Sequence, residues 1–302
     1  MTRLVTLIVT AGILAGCSAA GPADRAERKT DLRVMTFNIR YGAAKDGEND
    51  WQHRREMVFQ VLRDHRPDVV GLQEALRFQI DEMLAAAPGY GEIAVGRDDG
   101  KNAGEASAIL YRTDRLEIDE QGTFWLSDTP EVAGSKHWGN AITRLCTWAR
   151  LRDKQTKAHF YMYNTHLDHQ SQPARERGAE LIVQRINQRS HRDPIILTGD
   201  LNADERNPAV RYLKREIPAV PARPENSAAV PPLADTFRVL HPDAKPAGTF
   251  NGFTGKKDGG KIDYILTSPE WCVMEAAIVY DNKDGHYPSD HFPVTAVLKL
   301  KP

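Results

Sequence analysis

Cysteine is scarce in this sequence of 302 residues, which contains three: Cys17, Cys146 and Cys272. So few cysteines do not form the disulfide framework that stabilises small secreted domains. Cys146 and Cys272 lie in apolar segments typical of strands, and we expect them to be buried free thiols, although export would also permit a disulfide. No chemistry is assigned to either.

An excess of charge of one sign is also missing, because 40 lysines and arginines are matched by 41 aspartates and glutamates. The formal net charge of -1 creates no overall field that would draw the protein to nucleic acid or to an anionic membrane. The sequence also has no long run of lysines and arginines. A polyanionic substrate would therefore have to be bound by a few local side chains.

The apolar run near the start of the sequence, residues 4–15, is too short to span a bilayer. Together with Arg3 before it, this run predicts a secretory signal. Residues 14–17, LAGC, resemble a bacterial lipobox, in which Cys17 is lipidated and becomes the first residue of the mature protein. A plain cleaved signal and an uncleaved anchor are the alternatives.

The sequence therefore divides into three parts. Residues 1–17 are predicted to be a lipoprotein signal peptide, and residues 18–30, which are small and charged without apolar periodicity, a tether. Residues 31–302 are long enough for one large folded domain. We expect an exported monomer, lipid-anchored to the cell envelope as a periplasmic or outer-membrane lipoprotein.

Short apolar segments alternate with helical patterns in the remaining chain. Strands are predicted at residues 33–37, 69–72, 106–111, 145–151, 160–165, 195–198, 262–266, 276–280 and 293–300. Helices are predicted at residues 52–65, 174–189 and 208–216, the last with Asn207 as its N-cap, and a long loop at 218–232. Strands with intervening helices favour a mixed α and β domain.

Polar side chains stand at the ends of six of these apolar segments. They are Asn38, Glu74, His166, Asp200, Asn202, Asp263, Asp290 and His291. Turns alone would produce this pattern only by accident, although Asp204, close behind Asn202, is interpreted as an ordinary turn residue. The pattern predicts that one rim of a sheet carries a functional site.

The motifs FNIR, LQE, NTHLDH, GDLN, KIDYI and PSDH occur in this order between Phe37 and His291. The ordered set resembles the endonuclease, exonuclease and phosphatase superfamily, which includes deoxyribonucleases, deadenylases, sphingomyelinases and inositol-polyphosphate phosphatases. The resemblance implies an α/β fold over residues 31–302, a four-layer αββα sandwich. Two mixed β-sheets would pack face to face with helices outside, and the site would lie on one edge.

The resemblance also implies how phosphate would be handled. Glu74 resembles the family's principal Mg²⁺ ligand, with Mn²⁺ as an alternative ion, because hard cations prefer oxygen donors. Asn38 matches an amide that orients phosphate or metal-bound water, and Asp290 is a candidate second metal contact. Asp200 matches the carboxylate that orients or deprotonates the attacking water, and Asn202 matches a second orienting amide.

Two histidines complete the implied catalytic set. His291 resembles the family's catalytic histidine, held by an aspartate that matches Asp263, since a carboxylate fixes the imidazole tautomer and stabilises its charged form. His166 matches a second active-site histidine of the deoxyribonuclease and deadenylase branches. Glu105 is the candidate partner of His166, with an ordinary surface acid as the alternative.

Five further residues are candidates for substrate binding. Arg144 corresponds to a phosphate-contacting arginine of the deoxyribonuclease branch, with a structural ion pair as the alternative. Asp168 and His169 extend NTHL to NTHLDH, a departure from the nuclease motifs, and are candidates for contact with substrate or a second metal. Trp125 and Trp138 fall in an insertion that is predicted to wall the cleft, with core or loop packing as the alternative.

We therefore expect a secreted Mg²⁺-dependent phosphoester hydrolase. The first hypothesis is a phosphodiesterase or nuclease, favoured by His166 and the tryptophans. The second is a phosphatase or phosphodiesterase acting on a small molecule or a lipid head group, such as an inositol phosphate or sphingomyelin, favoured by the neutral charge and the tether. A catalytically dead surface binding protein is a hypothesis of another class, and the retention of the catalytic set weighs against it.

Overall fold

The computed structural model describes residues 30–221 and 232–302. The strands, in chain order, are β1 (Leu32–Asn38), β2 (Val69–Gln73), β3 (Tyr90–Ile93), β4 (Ile109–Arg112), β5 (Leu116–Trp125), β6 (Leu145–Asp153), β7 (His159–His166), β8 (Ile195–Asp200), β9 (Ala234–Asp235), β10 (Asp263–Thr267), β11 (Trp271–Ile278) and β12 (Val294–Leu300). The helices are α1 (Trp51–His65), α2 (Arg77–Ala86), α3 (Gln172–Gln188), α4 (Pro208–Leu213) and α5 (Thr236–Leu240), with a 3-10 turn at Gly47–Asn49.

These strands form two six-stranded sheets. The strand orders are β11-β12-β1-β2-β4-β3 and β5-β6-β7-β8-β10-β9. β1 pairs with β2, and β7 with β8, in parallel, whereas the remaining pairs are antiparallel. Both sheets are therefore mixed, as the sequence predicts.

The two sheets pack face to face around a shared apolar core. Val34 and Val69 of the first sheet lie in one buried cluster with Met162 and Ile196 of the second. Side chains on a strand alternate between faces, so the neighbours of Val34 in β1, such as Met35, turn to the opposite face. Both faces of β1 are therefore covered, and all of its residues except Arg33 are buried.

Helices cover the outer face of each sheet. Val58 of α1 and Ile80 of α2 share a buried cluster with Leu72 of the first sheet. Ile182 of α3 and Val210 of α4 share another with residues of the second sheet. The arrangement is the four-layer αββα sandwich, so the predicted fold is confirmed.

Each of the nine predicted strands corresponds to an observed one, but some boundaries move and three strands were missed. The segment predicted at 106–111 begins later, as β4, and the segment predicted at 276–280 begins earlier, as β11. β3, β5 and β9 were not predicted. β5 lies at a sheet edge, where its outward side chains are exposed and polar, which hides the strand periodicity.

The predicted helices are present as α1, α3 and α4. Asn207 caps α4 by accepting a hydrogen bond from the backbone N–H of Ala209, as expected, although α4 ends at Leu213 rather than near residue 216. The helices α2 and α5 were not predicted. None of the helices within residues 30–221 and 232–302 combines the length and hydropathy needed to cross a bilayer.

Several sequence predictions fall wholly or mainly outside the described residues. These are the signal peptide, Cys17, the tether up to residue 29 and most of the loop at 218–232. Cys146 is a free, buried thiol, as expected. Cys272 is half-buried rather than buried, and it does not pair with Cys146.

Candidate active site

The polar residues singled out in the sequence meet at one rim of the sandwich. The strands β1, β7 and β8 end at Asn38, His166 and Asp200, and β10 begins at Asp263. The register pairs His166 with Asp200 across β7 and β8, and Asp200 with Asp263 across β8 and β10. Strand pairing alone therefore aligns three of the predicted catalytic side chains at the edge of the second sheet.

Glu74 sits at the corresponding edge of the first sheet, directly after β2. Its backbone adopts a φ of 60°, which is uncommon for a residue with a side chain and marks local strain. Its Oε1 accepts a hydrogen bond from Asn38 Nδ2 at 3.0 Å, and its Oε2 accepts one from the backbone N–H of Tyr41 at 2.8 Å. Burial opposes ionisation, but the Asn38 amide, His291 and the other neighbours outweigh it and lower the pKa of Glu74.

Asn38 connects the two sheets at the rim. Its Oδ1 accepts a hydrogen bond from the backbone N–H of Arg40, which orients the amide so that Nδ2 faces the carboxylates. Nδ2 lies 3.0 Å from Asp200 Oδ2, in the second sheet, and 3.5 Å from His291 Nε2. A single buried amide thus contacts the predicted metal ligand, the predicted base and the predicted catalytic histidine.

Asp200 is fully enclosed and lies between the two histidines. Its Oδ1 accepts a hydrogen bond from the backbone N–H of Asn202 at 2.8 Å, while its Oδ2 lies 3.4 Å from His166 Nε2. Burial, reinforced by the nearby Asp263 carboxylate, raises the pKa of Asp200 to about 7. A carboxyl group with a pKa near neutrality can exchange a proton with water under physiological conditions, which is what a general base requires.

His291 and Asp263 form the expected pair. His291 Nδ1 lies 2.9 Å from Asp263 Oδ2, and both side chains are buried. Burial disfavours the imidazolium, but the charges of Asp263 and Asp200 outweigh burial and hold the pKa of His291 well above its usual value. Asp200, Asp263 and His291 offer ligand atoms within 4.8 Å of one another, so this cluster is also able to hold a cation.

His166 is held by Asn202 from the same rim. Asn202 Nδ2 lies 2.8 Å from His166 Nε2 and also donates to the carbonyl oxygen of Leu167. Burial, together with the positive charge of Arg144, keeps the pKa of His166 well below its usual value, so the imidazole is neutral. If Nε2 accepts from the amide, the proton of His166 resides on Nδ1.

The expected pair of Glu105 and His166 is not formed. Glu105 Oε2 instead lies 2.5 Å from Nη1 of Arg97, because a guanidinium offers a carboxylate a stronger, charge-assisted hydrogen bond than a neutral imidazole does. Both Glu105 and His166 nevertheless line the same cleft, together with Glu74, Arg97 and Arg144. No motif in the sequence pointed to Arg97.

Arg144 lies in this cleft without a carboxylate within ion-pair distance in the described ranges. It is 5% exposed, its Nη2 lies 3.1 Å from His169 Nδ1, and its Nε has no hydrogen-bond partner there. The structural ion pair considered as the alternative is therefore not formed. A buried guanidinium without a counterion favours an anionic ligand, because isolated buried charge is costly.

Asp168 and His169 have different surroundings. Asp168 is buried, and its Oδ1 accepts hydrogen bonds from the backbone N–H groups of Gln170 and Ser171, which forms the turn into α3. His169 is exposed beside Arg144. Of the two, only His169 is placed where a substrate can reach its side chain.

The tryptophans make local contacts. Trp125 is the last residue of β5 and not part of an insertion, and its indole N–H donates to the carbonyl oxygen of Arg97 at 2.7 Å. Trp138 donates to Asp128 at 2.8 Å and lies under the guanidinium of Arg177. Neither lines the cleft beside Glu74 within the described ranges, so the geometry supports the packing alternative for both.

Asp290 lies at the rim close to the end of β1. Its Oδ1 accepts a hydrogen bond from Ser289 Oγ at 3.2 Å, and its Oδ2 lies 3.8 Å from Nη1 of Arg40. Ser289 also donates to the carbonyl oxygen of Asn38 at 2.7 Å. The sequence motifs FNIR and PSDH contained Arg40 and Ser289, but nothing in them indicated these contacts.

A sequence model described as the endonuclease/exonuclease/phosphatase family matches residues 35–291 of this chain. The chain belongs to this family. The matched residues include every predicted catalytic and metal-binding position on the rim, from Asn38 to His291. Members of this family hydrolyse phosphoester bonds with the help of divalent metal ions, so the chain is a phosphoester hydrolase and the hypothesis of a catalytically dead binding protein is wrong.

Individual proteins resemble the chain to different degrees. A family protein from Bacteroides thetaiotaomicron is 33% identical, with a TM-score of 0.80, over 90% of this chain and 99% of its own. A mannosyl-6-phosphatase from the same organism is also 33% identical, with a TM-score of 0.78, over 89% of this chain and 100% of its own. Nocturnin of Drosophila melanogaster is 24% identical over 95% of this chain, which spans only 48% of that protein.

Proposed function

We propose that this protein is a Mg²⁺-dependent phosphatase that releases phosphate from a small polar monoester, such as a sugar phosphate. The observation that carries the proposal is the cleft beside Glu74, which is lined by charged side chains, Arg97, Glu105 and Arg144 among them. The resemblance to a mannosyl-6-phosphatase supports the same substrate class.

The composition of the chain argues in the same direction. Duplex binding rests on neutralising many phosphates, and a net charge of -1 leaves no general surplus of cations for it. Trp125 and Trp138, which would have provided stacking surfaces for bases, are engaged in local hydrogen bonds. Phosphodiester or nucleic-acid hydrolysis is the second candidate, favoured by the buried pair of His166 and Asn202.

The donor set on the rim fits a hard divalent cation. Glu74, Asp200, Asp263 and Asp290 are four carboxylates around one imidazole, and Oδ1 of Asp263 has no hydrogen-bond partner in the part of the chain described. Such an excess of oxygen donors and negative charge suits Mg²⁺. Glu74 and Asp290 would hold the ion, while Asn38, predicted as a further ligand, turns its Nδ2 to the carboxylates and would orient them instead. The ion when bound would neutralise phosphate charge and stabilise the charge that develops on the reacting oxygens.

The chain's own residues supply the proton handling and the orientation. Asp200, with a pKa of about 7, accepts the proton of the attacking water, and Asn202 fixes the Asp200 carboxylate through its backbone N–H. The imidazolium of His291, held by Asp263, stabilises negative charge on the phosphoryl group. Arg144 provides a guanidinium for the anionic substrate within the cleft.

The substrate class is tested by comparing monoesters with diesters. Purified protein with Mg²⁺ is incubated with mannose 6-phosphate, 4-nitrophenyl phosphate, bis(4-nitrophenyl) phosphate and single-stranded DNA, with Glu74→Gln as the matched inactive control. We expect release of inorganic phosphate from the monoesters with a kcat/KM at least about tenfold above that for the diesters. Faster cleavage of DNA or of the diester would replace the phosphatase by the nuclease hypothesis.

We also propose that the protein is exported and held at the cell envelope by a lipid on Cys17, as the lipobox-like sequence supports. Cys17→Ala removes the thiol that would be lipidated. The variant should then leave the membrane fraction without loss of activity per molecule. Unchanged membrane association of the variant would indicate an uncleaved anchor instead.

A further inference from the structure

Arg54, on α1, is one of the largest fully buried side chains of the described protein, and it is 1% exposed. All of its hydrogen bonds go to backbone carbonyl oxygens. Its Nε donates to Asn49 at 2.9 Å, Nη1 to Ile39 at 2.6 Å and to Pro288 at 2.9 Å, and Nη2 to Arg40 at 2.9 Å. One guanidinium therefore fastens three separate segments of backbone.

Two of these segments carry the reactive rim. Ile39 and Arg40 directly follow Asn38, the amide that contacts both Glu74 and Asp200. Pro288 comes shortly before Asp290 and His291. We call the segment that follows Asn38 the arm of Asn38, and the segment from Pro288 to His291 the arm of His291. Since Nη1 of Arg54 donates to Ile39 and to Pro288 together, it joins the arm of Asn38 to the arm of His291.

A charged group at this position has no structural partner of opposite sign. In the described residues Arg54 forms no ion pair with a carboxylate within 4.0 Å, and its guanidinium lies 5.1 Å from the ring of Trp51 and 5.7 Å from that of Phe253. Burial lowers the pKa of Arg54 to about 10, against the attraction of Asp290 and Asp46, so it is still charged at neutral pH. Burying this charge is costly, and an apolar residue would pack there at lower cost.

Only an arginine side chain matches the demands of the position. Its planar guanidinium has five N–H donors in a fixed fork, whereas lysine has one rotating ammonium group and no fork. Without this guanidinium, the carbonyl oxygens of Ile39, Arg40 and Pro288 would lose a hydrogen-bond donor. The two arms would then be joined only by their direct contacts with each other. Two other contacts join the arms near this point: Ser289 Oγ donates to the carbonyl oxygen of Asn38, and Nη1 of Arg40 lies 3.8 Å from Asp290 Oδ2.

We propose that Arg54 is a positioning residue for phosphoester hydrolysis, which fixes the arm of Asn38 against the arm of His291 from beneath the rim. The separation of 3.5 Å between Asn38 Nδ2 and His291 Nε2 depends on this link. Arg54 touches neither substrate nor reacting atoms. It acts through the two segments of backbone that it joins, and the proposal rests on the hydrolysis of phosphoesters rather than on the choice of a monoester.

The test removes the guanidinium group of Arg54 in two variants, one that fills the vacated space and one that leaves it empty. Arg54→Met keeps an unbranched apolar side chain but no donor, and Arg54→Ala leaves a cavity that free guanidinium can enter. Arg115→Met is the matched control, because Arg115 is also buried and multiply hydrogen-bonded but lies at the far end of the strands. The readouts are kcat and KM for 4-nitrophenyl phosphate and bis(4-nitrophenyl) phosphate, far-UV circular dichroism and the Tm.

We expect kcat of the folded Arg54 variants to fall by about 10²-fold, because a small misplacement of catalytic groups has effects of this size, with a smaller change in KM. Millimolar guanidinium chloride, far below denaturing concentrations, should restore kcat at least about tenfold in Arg54→Ala and not in Arg54→Met. Arg115→Met should lower the Tm while its kcat stays within about twofold of wild type.

The proposal is overturned by a folded Arg54→Met with a kcat within threefold of wild type, or by a folded Arg54→Ala that guanidinium does not rescue. An equal loss of kcat in Arg115→Met, or failure of both Arg54 variants to fold, would overturn it as well, since the role of Arg54 would then be general stability. A wild-type preference for the diester would overturn the phosphatase proposal but leave the ratio between variant and wild type, and hence the role of Arg54, unaffected.

Discussion

Two clusters of buried charge lie at opposite ends of the same strands. The opposite-end cluster consists of Asp68, Arg112, Arg115 and Asp153, where Arg115 lies 2.8 Å from Asp68 and 3.1 Å from Asp153. All of its charged groups are paired, and the half-buried Arg112 also pairs with the exposed Asp114 outside the cluster. The rim cluster consists of Glu74, Asp200, Asp263, Asp290 and His291, with four carboxylates around one imidazole.

The two clusters differ in how their charged side chains are paired. In the opposite-end cluster each carboxylate meets an arginine, and Asp68 also accepts a hydrogen bond from the backbone N–H of Arg33. In the rim cluster the half-buried Arg40 forms two hydrogen bonds to Asp46 and lies 3.8 Å from Asp290, and the carboxylates are left in excess. Paired buried charges are costly to break apart, whereas carboxylates left in excess mark the place where a cation and an anionic substrate belong.

The largest expected effect is on catalysis at the rim. Glu74→Gln keeps the shape of the side chain but removes the charge that would hold a divalent ion. Activity should fall by about 10³-fold or more, because metal stabilisation of a phosphoester transition state is worth several kcal/mol. The Tm of the metal-free protein should change little, because glutamine fills the same space and keeps one of the two oxygens that accept hydrogen bonds from Asn38 and Tyr41. Full activity of the variant at limiting Mg²⁺, measured with 4-nitrophenyl phosphate, would remove Glu74 from the site.

The second largest effect should be on the free energy of unfolding alone, and it concerns the opposite-end cluster. Asp68→Asn leaves Arg112 and Arg115 with fewer counterions in a buried place, which should destabilise the protein by about 3 kcal/mol. Chemical denaturation provides the measurement. The kcat of the folded variant should match wild type, and a reduced kcat would mean that the two clusters are coupled through the strands.

The pair of His291 and Asp263 tests whether the rim works as a unit. His291→Ala should lower kcat by roughly 10²-fold, and Asp263→Asn should give a loss of the same kind because an amide no longer stabilises the imidazolium. The double variant should be little worse than the more damaged single variant. Losses that multiply would assign independent roles, with Asp263 then a candidate metal ligand.

The smallest expected effect is on the pH dependence of the Tm, and it concerns the rim cluster. Asp200 has a pKa of about 7 in the folded protein against 3.8 ordinarily, so the folded state holds a proton that the unfolded state has released. This contribution to stability is complete below about pH 4 and is lost as the pH rises through about 7. In chelator, the Tm of wild type should fall over this window, and Asp200→Asn should show a shallower fall. Equal slopes for both proteins would contradict the raised pKa of Asp200.

Much of this fold follows from local pattern. The apolar segments that became β1, β2, β7 and β8 are recognisable because burial on both faces favours consecutive apolar residues, as in FYMY of β7 and IIL of β8. β5 escaped detection because it is a half-exposed edge strand, and α2 because its buried face holds only Gln79, Ile80 and Met83. Short or half-exposed elements have too few buried residues to impose a period.

The candidate site was predictable in its membership but not in its contacts. Asn38, Glu74, Asp200, Asp263 and His291 were identified by residue type and motif order, and the structure brings them together. The predicted partner of Glu105 was wrong, because Arg97, in the same loop between β3 and β4, pairs with it instead. Arg54 gave no signal at all, since a helix pattern does not reveal that a buried arginine reaches four carbonyl groups.

The sequence by itself determined a mixed α and β domain, through periodicity, and the residue types at the rim, through motifs within a few residues. The order of those motifs determined the resemblance to the family, which in turn implied the sandwich. Only the tertiary structure decided the partners and protonation of those residues. Asn38 and Asp200 are 162 positions apart, and Asn38 and His291 are 253 apart, yet their side chains lie within 3.0 and 3.5 Å. Hydrogen bonding, desolvation and charge repulsion act over such distances in space, so they are set only when the two sheets have packed together.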